Sequence, residues 1–275
     1  MPHFSIITIN LNNAAGLRQT MDSVLAQSFP DFEYLVIDGG STDGSVELIE
    51  KYAAKITYWV SERDAGIFDA MNKGIAAATG KYCLFLNSGD YLYQADVLGQ
   101  VAKIGVSADV IYGDVIQSAE GNMLRRVNSP DILTPFFLLT GAVAHPAQFI
   151  RRDLFFDYGF YSTEYRMSSD YAFIVKLFFK TKFEYRHLPI PVAVFDLSGL
   201  SNHPANVTLY YNERRKIHKL YFPAWMALVY AGIVLIWRSP LFNNSLLARP
   251  IGYFRKSVMR FLGEEQINLD QAQDR

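Results

Sequence analysis

Residues 32–52 read FEYLVIDGGSTDGSVELIEKY, and this stretch decides the fold. Phe32–Ile37 is a short apolar run that is typical of a buried strand. Asp38–Gly44 is rich in glycine and turn-forming residues, and apolar residues then recur at helical spacing as far as Tyr52. The stretch therefore predicts a strand, a loop and a helix. The candidate helix caps are Ser41, Thr42 and Asp43.

The same alternation extends in both directions along the chain. Phe4–Ile9 predicts a first strand rather than a signal peptide, because no basic region precedes it and no small-residue cleavage site follows. Repeated strand–helix units with short buried strands predict a mostly parallel sheet flanked by helices on both faces. Further strands are expected at about 56–60, 82–86, 110–112 and 184–195, and helices near 14–28, 68–78 and 169–180. Residues 113–165 look mixed and loop-rich.

Polar residues cluster just past the predicted strand ends. These clusters are Asn10–Asn13, Asp38–Asp43, Ser61–Asp64 and Asn87–Asp90. Open α/β sheets bind ligands at the carboxyl ends of their strands, so we expect the functional site there. The chain has no Gly-x-Gly-x-x-Gly after the first strand and no P-loop, which argues against dehydrogenases and nucleoside triphosphatases.

Composition narrows the class of protein. The chain has 275 residues, 50% of them hydrophobic, which excludes disordered and low-complexity proteins. A single cysteine, Cys83, excludes an intramolecular disulfide and a cysteine-based zinc site. The net charge of −1 hides an asymmetry: residues 1–213 carry −7, residues 214–260 carry nine cations and no acid, and the last fifteen residues carry −3.

The basic segment also contains Tyr221–Trp237, which has no charged residue and is barely long enough to span a membrane. Basic residues on both sides and interfacial aromatic residues favour a shallow or re-entrant helix on an anionic membrane surface. A buried core helix is the alternative, but nine cations without an anion are unusual for a packed element. Nucleic-acid binding fits less well, because the cations accompany an apolar run.

Each candidate site residue has a structural alternative. Asp38 could contact a base or ribose, or it could bond only to its own loop. Asp90 could bind a divalent cation, or Asn87–Asp90 could be a type I turn. Glu62 and Lys73 could contact a ligand or form a solvated face. Ser168–Asp170 could be a helix cap with an acidic first turn, although Asp170 could also serve as a general base.

The ordered motifs together resemble the family 2 inverting glycosyltransferases. The residues that carry the resemblance are Phe4–Asn10, Asp38–Gly44, Ser61–Gly74, Leu84–Asp90, His145–Phe149 and Ser168–Tyr171. They cover roughly residues 3–202 and look most similar to the branch that builds bacterial exopolysaccharides such as colanic acid. The resemblance implies a GT-A fold with a nucleotide-sugar-binding half (1–105) and an acceptor-binding half (106–213). A membrane-associating segment (214–263) and an acidic, disordered tail (264–275) are expected to follow.

The resemblance also implies roles for single residues. Asp170 matches the catalytic base, and Asp90 matches the metal-binding end of the Asp-x-Asp motif, with His203 as a further metal candidate. The expected sugar pocket contains His145, Gln148 and Ser169. The expected nucleotide-sugar contacts are Ile9, Asn10, Asp38, Gly39, Arg63, Asp64, Asn72, Lys73, Asn87, Ser88 and Gly89. The chain departs from the family in having Asn87 and Gly89 where aspartates are frequent, which weakens the expected Mg²⁺ or Mn²⁺ site.

We therefore expect an enzyme that moves a sugar from a UDP- or GDP-sugar to a hydroxyl of a polyprenyl-linked saccharide, with inversion. It is expected at the cytoplasmic face of the inner membrane, as a peripheral or monotopic protein. The alternatives are a transferase that acts on polyprenyl phosphate itself and a non-catalytic carbohydrate-binding scaffold on the same fold. The identity of the base, the sugar and the linkage does not follow from the sequence.

Overall fold

The computed structural model describes residues 1–104, 108–119, 122–199 and 204–226. Its strands are β1 (Phe4–Asn10), β2 (Phe32–Asp38), β3 (Tyr58–Ser61), β4 (Tyr82–Asn87), β5 (Tyr91–Leu92), β6 (Val110–Ala119), β7 (Asn122–Val127), β8 (Gln148–Arg151) and β9 (Tyr185–Asp196). Its helices are α1 (Ala14–Leu25), α2 (Ser45–Tyr52), α3 (Ile67–Ala77), α4 (Val97–Lys103), α5 (Pro135–Thr140), α6 (Asp153–Tyr158), α7 (Ser169–Lys180) and α8 (Val207–Tyr221).

The described strands form one sheet in the order β3-β2-β1-β4-β8-β6-β9-β5, with β7 paired to β6. The first four strands in this order are parallel, and β6 and β9 also pair in parallel. The expectation of a mostly parallel sheet is wrong for the rest, because β5, β7 and β8 pair antiparallel with their neighbours. β7 follows β6 almost directly, and only an antiparallel hairpin allows so short a connection.

Helices cover both faces of the parallel strands, as predicted. Alternate residues of β1 point to opposite faces. Phe4 and Ile6 join a core that includes Leu17 and Met21 of α1. On the other face α3 packs so closely on β1 that a Cβ added at Gly74 would lie only 2.4 Å from the Ile7 side chain. The apolar periodicity that predicted α1, α3 and α7 thus corresponds to buried contacts in the structure.

Two details of the sequence interpretation are corrected. Gly44 occupies the position before α2, and none of the three candidate caps does. Asp43 instead accepts hydrogen bonds from the main chain of Ala14 and from Ser45, so it joins the starts of α1 and α2. The region 113–165 is less loop-rich than expected, since it contains most of β6 and all of β7, β8, α5 and α6.

The chain divides into two compact units, each with its own contacts. The sheet lies in the first unit, which comprises residues 1–132 and 143–199. The second comprises 133–142 and the residues from 200 onward, and its described helices are α5 and α8. Within it, the buried Arg214 guanidinium donates to the carbonyl groups of Leu138 and Gly141 at 3.2 and 2.8 Å.

The predicted membrane-associating segment is only partly described, because the structure stops describing the chain after residue 226. Residues 227–263, the tail 264–275 and His203 lie outside the described residues. Within the described ranges, no helix combines the length and apolar character needed to cross a membrane. Arg214 shows that at least one of the nine cations in the basic segment has an internal structural role.

Candidate functional site

The register of the parallel strands brings the predicted polar clusters together. Asn10 at the end of β1 lies opposite Asp38 at the end of β2, and Asp38 lies opposite Ser61 at the end of β3. On the other side of β1, Ile9 lies opposite Asn87 at the end of β4. The four strand ends therefore form one edge, as the sequence predicted, and the loops that follow them define the candidate site.

Asp38 is fully buried and organises this edge. Its carboxylate accepts five hydrogen bonds of 2.6–3.1 Å, from Asn10 Nδ2, Gly40 N, Ser41 N, Ser41 Oγ and Ser61 Oγ. Burial alone would raise the pKa of Asp38, but these hydrogen bonds lower it below its usual value. Because the carboxylate already has five donors, the geometry favours the interpretation in which Asp38 orders its own loop.

The glycines after Asp38 allow a close approach of two loops. A Cβ at Gly39 would lie 2.5 Å from Asp64 Oδ2, and Gly40 has a positive φ of 82° and lies against the main chain of Arg63. Asp64 in turn accepts from the amide of Gly66 at 2.9 Å. The Arg63 side chain is exposed, and no ion pair joins it to another described residue. Arg63 is therefore the cation of this loop that is available to a ligand.

Two predicted contact residues are engaged by the protein itself. Lys73 forms a 2.7 Å ion pair with Glu62, which raises the pKa of Lys73, and it donates to the Arg63 carbonyl group. The Asn72 amide both donates to the carbonyl oxygen and accepts from the amide of Tyr161, at 2.8 and 3.0 Å. Asn72 therefore fixes the main chain of Tyr161.

Residues 87–90 form a turn, in agreement with the structural alternative, but of a different type. The amide of Asp90 donates to the carbonyl group of Asn87 at 2.8 Å, and Gly89 has a φ of 108°. A positive φ at the third position is typical of a type II turn rather than the expected type I turn. Around it, Ser88 donates to the Ile9 carbonyl group and accepts from Asn13 through its own carbonyl oxygen.

The turn presents Asp90 to His145. Asp90 is buried; its Oδ1 accepts from the Asp196 amide at 2.9 Å, and its Oδ2 lies 3.3 Å from His145 Nε2. The same Nε2 lies 3.0 Å from Asn87 Nδ2. Burial lowers the pKa of His145, but the hydrogen bond to Asp90 and the charges of Asp90 and Asp170 raise it, with a net increase. The contacts with Asp90 and Asn87 thus hold His145 against the turn at residues 87–90.

Asp170 lies in the first turn of α7 and is partly buried. Burial raises the pKa of Tyr161, and the charge of Asp170 raises it further. The charge of Asp170 also raises the pKa of His145, so it acts on both side chains. Ser168 occupies the cap position, as one alternative predicted, but its side chain makes no capping hydrogen bond. The cap alternative therefore does not account for the two serines before Asp170.

Several buried polar atoms at these strand ends and at the start of α7 have no hydrogen-bond partner among the described residues. They are Asn10 Oδ1, Asn87 Oδ1, Ser168 Oγ and Ser169 Oγ. Such atoms are uncommon in folded proteins and require an explanation. A bound ligand that supplies the missing hydrogen-bond partner is one such explanation. Gln148 differs from Ser169 in this respect, because its buried amide donates to the carbonyl group of Val143 and holds the turn before β8.

We tested whether the residues present fit a divalent cation. No group of three His, Cys, Asp or Glu side chains suited to a metal occurs within the described part of the chain. Mg²⁺, however, is often held by one or two carboxylates together with substrate phosphates and water. Asp90 supplies one buried carboxylate, and Asn87 supplies an unpaired amide oxygen beside it. These two oxygen donors fit a cation site whose remaining ligands are supplied by the phosphates of a bound substrate and by water.

Some residues of the site were not predicted from the sequence. Tyr161 packs among Phe68, Phe85, Phe155 and Phe173 and lies near Asp170. Thr20 of α1 accepts from the amide of Gly89 and donates to the Asp90 carbonyl group. Apolar periodicity assigned neither residue to a site, because the hydrogen bonds that join them to it, from Gly89 to Thr20 and between Asn72 and Tyr161, span 69 and 89 residues of sequence.

Comparisons with known proteins agree with this picture. The family model described as glycosyl transferase family 2 matches residues 5–162. A PGL/p-HBAD biosynthesis glycosyltransferase of Mycobacterium tuberculosis is 36% identical over 208 residues, which cover 73% of this chain and 80% of that protein. An uncharacterized glycosyltransferase of the same species is 31% identical over 230 residues, which cover 80% and 86%.

Solved structures share the fold at low sequence identity. S. aureus TarS 1–349 in complex with UDP-GlcNAc has a TM-score of 0.64 and 19% identity, over 97% of this chain and 74% of that one. A mannosyltransferase from Pyrobaculum calidifontis in complex with GDP-Man and Mn²⁺ has a TM-score of 0.64 and 15% identity, over 96% and 86%. At such identities the similarity concerns the fold alone.

Proposed function

The chain belongs to glycosyltransferase family 2 and has a mixed α/β, GT-A-like fold, and we propose that it transfers a sugar from a nucleoside diphosphate sugar to a hydroxyl of a polyprenyl-linked saccharide. We further propose that the anomeric carbon is inverted and that the product enters an exopolysaccharide or another surface glycan. The observation that carries this proposal is the 3.3 Å contact of Asp90 with His145 at the turn after β4, where Asn87 Oδ1 is buried and unpaired. The charge of Asp170, at the start of α7, also acts on His145.

The donor half of the proposal rests on the loops after β1 to β4. Arg63 is exposed and cationic and would bind the diphosphate, while the Asp38 network holds its loop against Asp64. Asn10, whose buried Oδ1 is unpaired, would contact the nucleotide. A structural neighbour with UDP-GlcNAc and another with GDP-Man support a nucleoside diphosphate sugar as donor.

The chemistry is a single displacement. The acceptor oxygen attacks the anomeric carbon and forms the new bond as the bond to the diphosphate oxygen breaks, and the bonding electrons leave with the nucleoside diphosphate. Asp170 takes the proton of the acceptor hydroxyl as a general base. Attack opposite the leaving group inverts the configuration. Asp90 would hold a divalent cation, whose positive charge would stabilise the leaving diphosphate.

The test of this function is the variant Asp170→Asn. Loss of the general base should lower kcat by about 10²–10⁴-fold, while the dissociation constant for the donor stays within about twofold of the wild-type value. Transfer would be measured with UDP- and GDP-sugars, and donor binding by calorimetry. Glu164→Gln, which changes an exposed carboxylate of the same region, is the matched control. Near wild-type turnover in Asp170→Asn would refute the role of Asp170.

The acceptor is tested separately. The full chain would receive either a polyprenyl-linked oligosaccharide or bare polyprenyl phosphate, each with the donor that it binds. We expect transfer to the first and not to the second. Transfer to polyprenyl phosphate would identify a lipid-sugar synthase instead. Donor binding without transfer or donor hydrolysis, with metal present and with metal removed, would favour the non-catalytic scaffold.

We also propose that residues 214–260 bring the enzyme to an anionic membrane surface. The support is their charge of +9 around an uncharged run of 17 residues. The full chain should sediment with vesicles that contain anionic lipid more than with neutral vesicles, and high salt should weaken this binding. Equal binding to both kinds of vesicle, or binding to neither, would contradict the proposal.

A further inference from the structure

The contacts of His145 Nε2 cannot all be favourable in the arrangement that the structure shows. This nitrogen lies 3.3 Å from Asp90 Oδ2, and an ionised carboxylate accepts hydrogen bonds but cannot donate one. It also lies 3.0 Å from Asn87 Nδ2, which donates but cannot accept. If Nε2 carries a proton, that proton faces the donor Asn87 Nδ2. If Nε2 carries a lone pair, the lone pair faces the carboxylate. Either state leaves one contact unfavourable.

Asn87 shows the complementary defect. Its Oδ1 is buried and has no hydrogen-bond partner among the described residues, although its Nδ2 points to His145. A half-turn of the amide about its last side-chain bond would exchange the two atoms. The amide oxygen would then lie about where Nδ2 lies now, near His145 Nε2. When Nε2 carries a lone pair, three electron-pair donors then face one another across a small space, and either a proton on Nε2 or a bound metal cation relieves their repulsion.

The distances suit such a cation. Oxygen and nitrogen ligands lie about 2.1 Å from Mg²⁺ or Mn²⁺, so neighbouring ligands in an octahedral shell are separated by about 3 Å. The observed separations at His145 Nε2 are 3.3 Å to Asp90 Oδ2 and 3.0 Å to the Asn87 amide. Phe195 packs edge-on against the imidazole ring, with the ring centroids 5.7 Å apart, and so limits its orientation.

The geometry of the turn explains why a histidine from elsewhere would be needed. Gly89 has a φ of 108°, and a Cβ there would lie 3.0 Å from Asp196 Oδ2. An aspartate at position 89 would therefore be strained and would meet another carboxylate. The antiparallel pairing of β4 with β8 instead brings the turn that begins at His145 alongside β4.

We infer that His145 is a ligand of the divalent cation, together with Asp90 and the amide oxygen of Asn87. The inference rests on the proposed function, because the diphosphate of the donor and water complete the coordination shell. It assigns to His145 the imidazole ligand that the sequence led us to seek at His203. An imidazole ligand also favours Mn²⁺ over Mg²⁺, since Mg²⁺ prefers oxygen ligands.

The test uses Mn²⁺ as both ligand and spectroscopic probe. Mn²⁺ would be added to the full chain with UDP, and in a second series with GDP, and pulsed electron paramagnetic resonance would detect nitrogen nuclei bound to the metal. We expect ¹⁴N coupling in the wild type, replaced by ¹⁵N coupling when histidine is ¹⁵N-labelled. Labelling needs no mutation and therefore does not depend on how a variant folds. Bound Mn²⁺ without histidine nitrogen coupling overturns the inference.

Variants then identify the histidine, since the chain has five. His145→Gln should abolish the nitrogen coupling and raise the dissociation constant for Mn²⁺ at least about tenfold. His145→Asp should restore Mn²⁺ binding without nitrogen coupling and reduce the preference for Mn²⁺ over Mg²⁺. The matched controls are His187→Gln and His203→Gln, which should both keep the coupling. Coupling that survives in His145→Gln overturns the inference.

The proposed function can fail or survive independently of this result. A wild-type chain that transfers sugar and binds Mn²⁺ through oxygen ligands alone contradicts only the role of His145. A wild-type chain that binds UDP or GDP but no Mn²⁺ also overturns that role and leaves the transferase proposal standing. A chain that binds neither nucleotide nor donor and transfers no sugar contradicts the proposed function itself, and with it the inference that rests on it.

Discussion

A buried carboxylate lies at each end of the parallel strands, but of these two only the one at the end of β4 lies in a cluster with an unpaired polar side-chain atom among the described residues. At the amino end, Glu33 accepts hydrogen bonds from the Ser5 hydroxyl, from the amide and hydroxyl of Thr79 and from the Gly80 amide. None of these side chains has a buried atom without a partner. At the carboxyl end of β4, Asp90 faces His145, and Asn87 Oδ1 has no partner.

The difference shows that burial of a carboxylate does not by itself identify a functional site. The Glu33 cluster is complete within the protein, so its hydrogen bonds contribute to stability. In the Asp90 cluster, no described residue supplies a hydrogen-bond partner for Asn87 Oδ1. This missing partner indicates a ligand. The Asp38 carboxylate resembles that of Glu33, because it already accepts five hydrogen bonds. Its donor Asn10, however, has an unpaired buried Oδ1, so a ligand of this cluster would contact Asn10 rather than Asp38.

The largest expected difference between the two ends concerns turnover. Asp90→Asn and Glu33→Gln each exchange a buried carboxylate for an amide. Asp90→Asn should lower kcat about 10²-fold or more, because stabilisation of the leaving diphosphate by a cation accounts for several kcal/mol. Glu33→Gln should leave kcat per folded molecule within about twofold. Equal losses of turnover in the two variants would remove the distinction between the ends.

Stability should show the opposite order. Glu33→Gln leaves an amide group facing the donors of Thr79 and Gly80, so the free energy of unfolding should fall by about 1–3 kcal/mol. The measurement is urea denaturation followed by circular dichroism. Glu50→Gln, an exposed carboxylate on α2, is the control and should change stability by less than about 0.5 kcal/mol. A Glu33→Gln variant as stable as the control would contradict the structural role of Glu33.

The sequence predicted the elements that depend on local periodicity. β1, β2 and α7 begin and end within one or two residues of the predicted positions, since their apolar spacing directly reflects which residues are buried. The grouping of Asn10, Asp38 and Ser61 also followed, because the carboxyl ends of parallel strands share one edge.

The position of His145 could not be predicted in this way. It depends on β8, a strand of four residues that lies between β4 and β6, so that the turn from His145 reaches residues 58 positions earlier in sequence. A strand so short has no distinctive pattern, and nothing in its residues specifies its neighbours. The pairing of Asn72 with Tyr161 was missed for the same reason, since it joins main-chain and side-chain groups 89 positions apart.

Acid should weaken the amino end in a predictable range of pH. Burial alone would raise the pKa of Glu33, but hydrogen bonds from Ser5, Thr79 and Gly80 lower it below its usual value of 4.5. A carboxyl group with a lowered pKa in the folded state adds stability above its unfolded pKa, and this stability is lost as the pH falls through the folded pKa.

We therefore expect the stability difference between the wild type and Glu33→Gln to be constant from about pH 7 to about pH 5 and to shrink below pH 4.5. Urea denaturation at steps of pH measures this difference. A difference that persists unchanged to pH 3 would show that the charge of Glu33 does not contribute to stability.

The smallest expected effect concerns the ion pair of Lys73 with Glu62 near the carboxyl end. The pair is short, at 2.7 Å, but the side chains are 27% and 55% exposed, so water and salt screen the attraction. Lys73→Met should therefore lower the free energy of unfolding by less than about 1 kcal/mol, and high salt should reduce the loss further. Donor affinity, measured by calorimetry, tests the predicted nucleotide contact: a several-fold loss with little change in stability supports it. A donor affinity equal to that of the wild type would mean that Lys73, like Glu33, is engaged only within the protein.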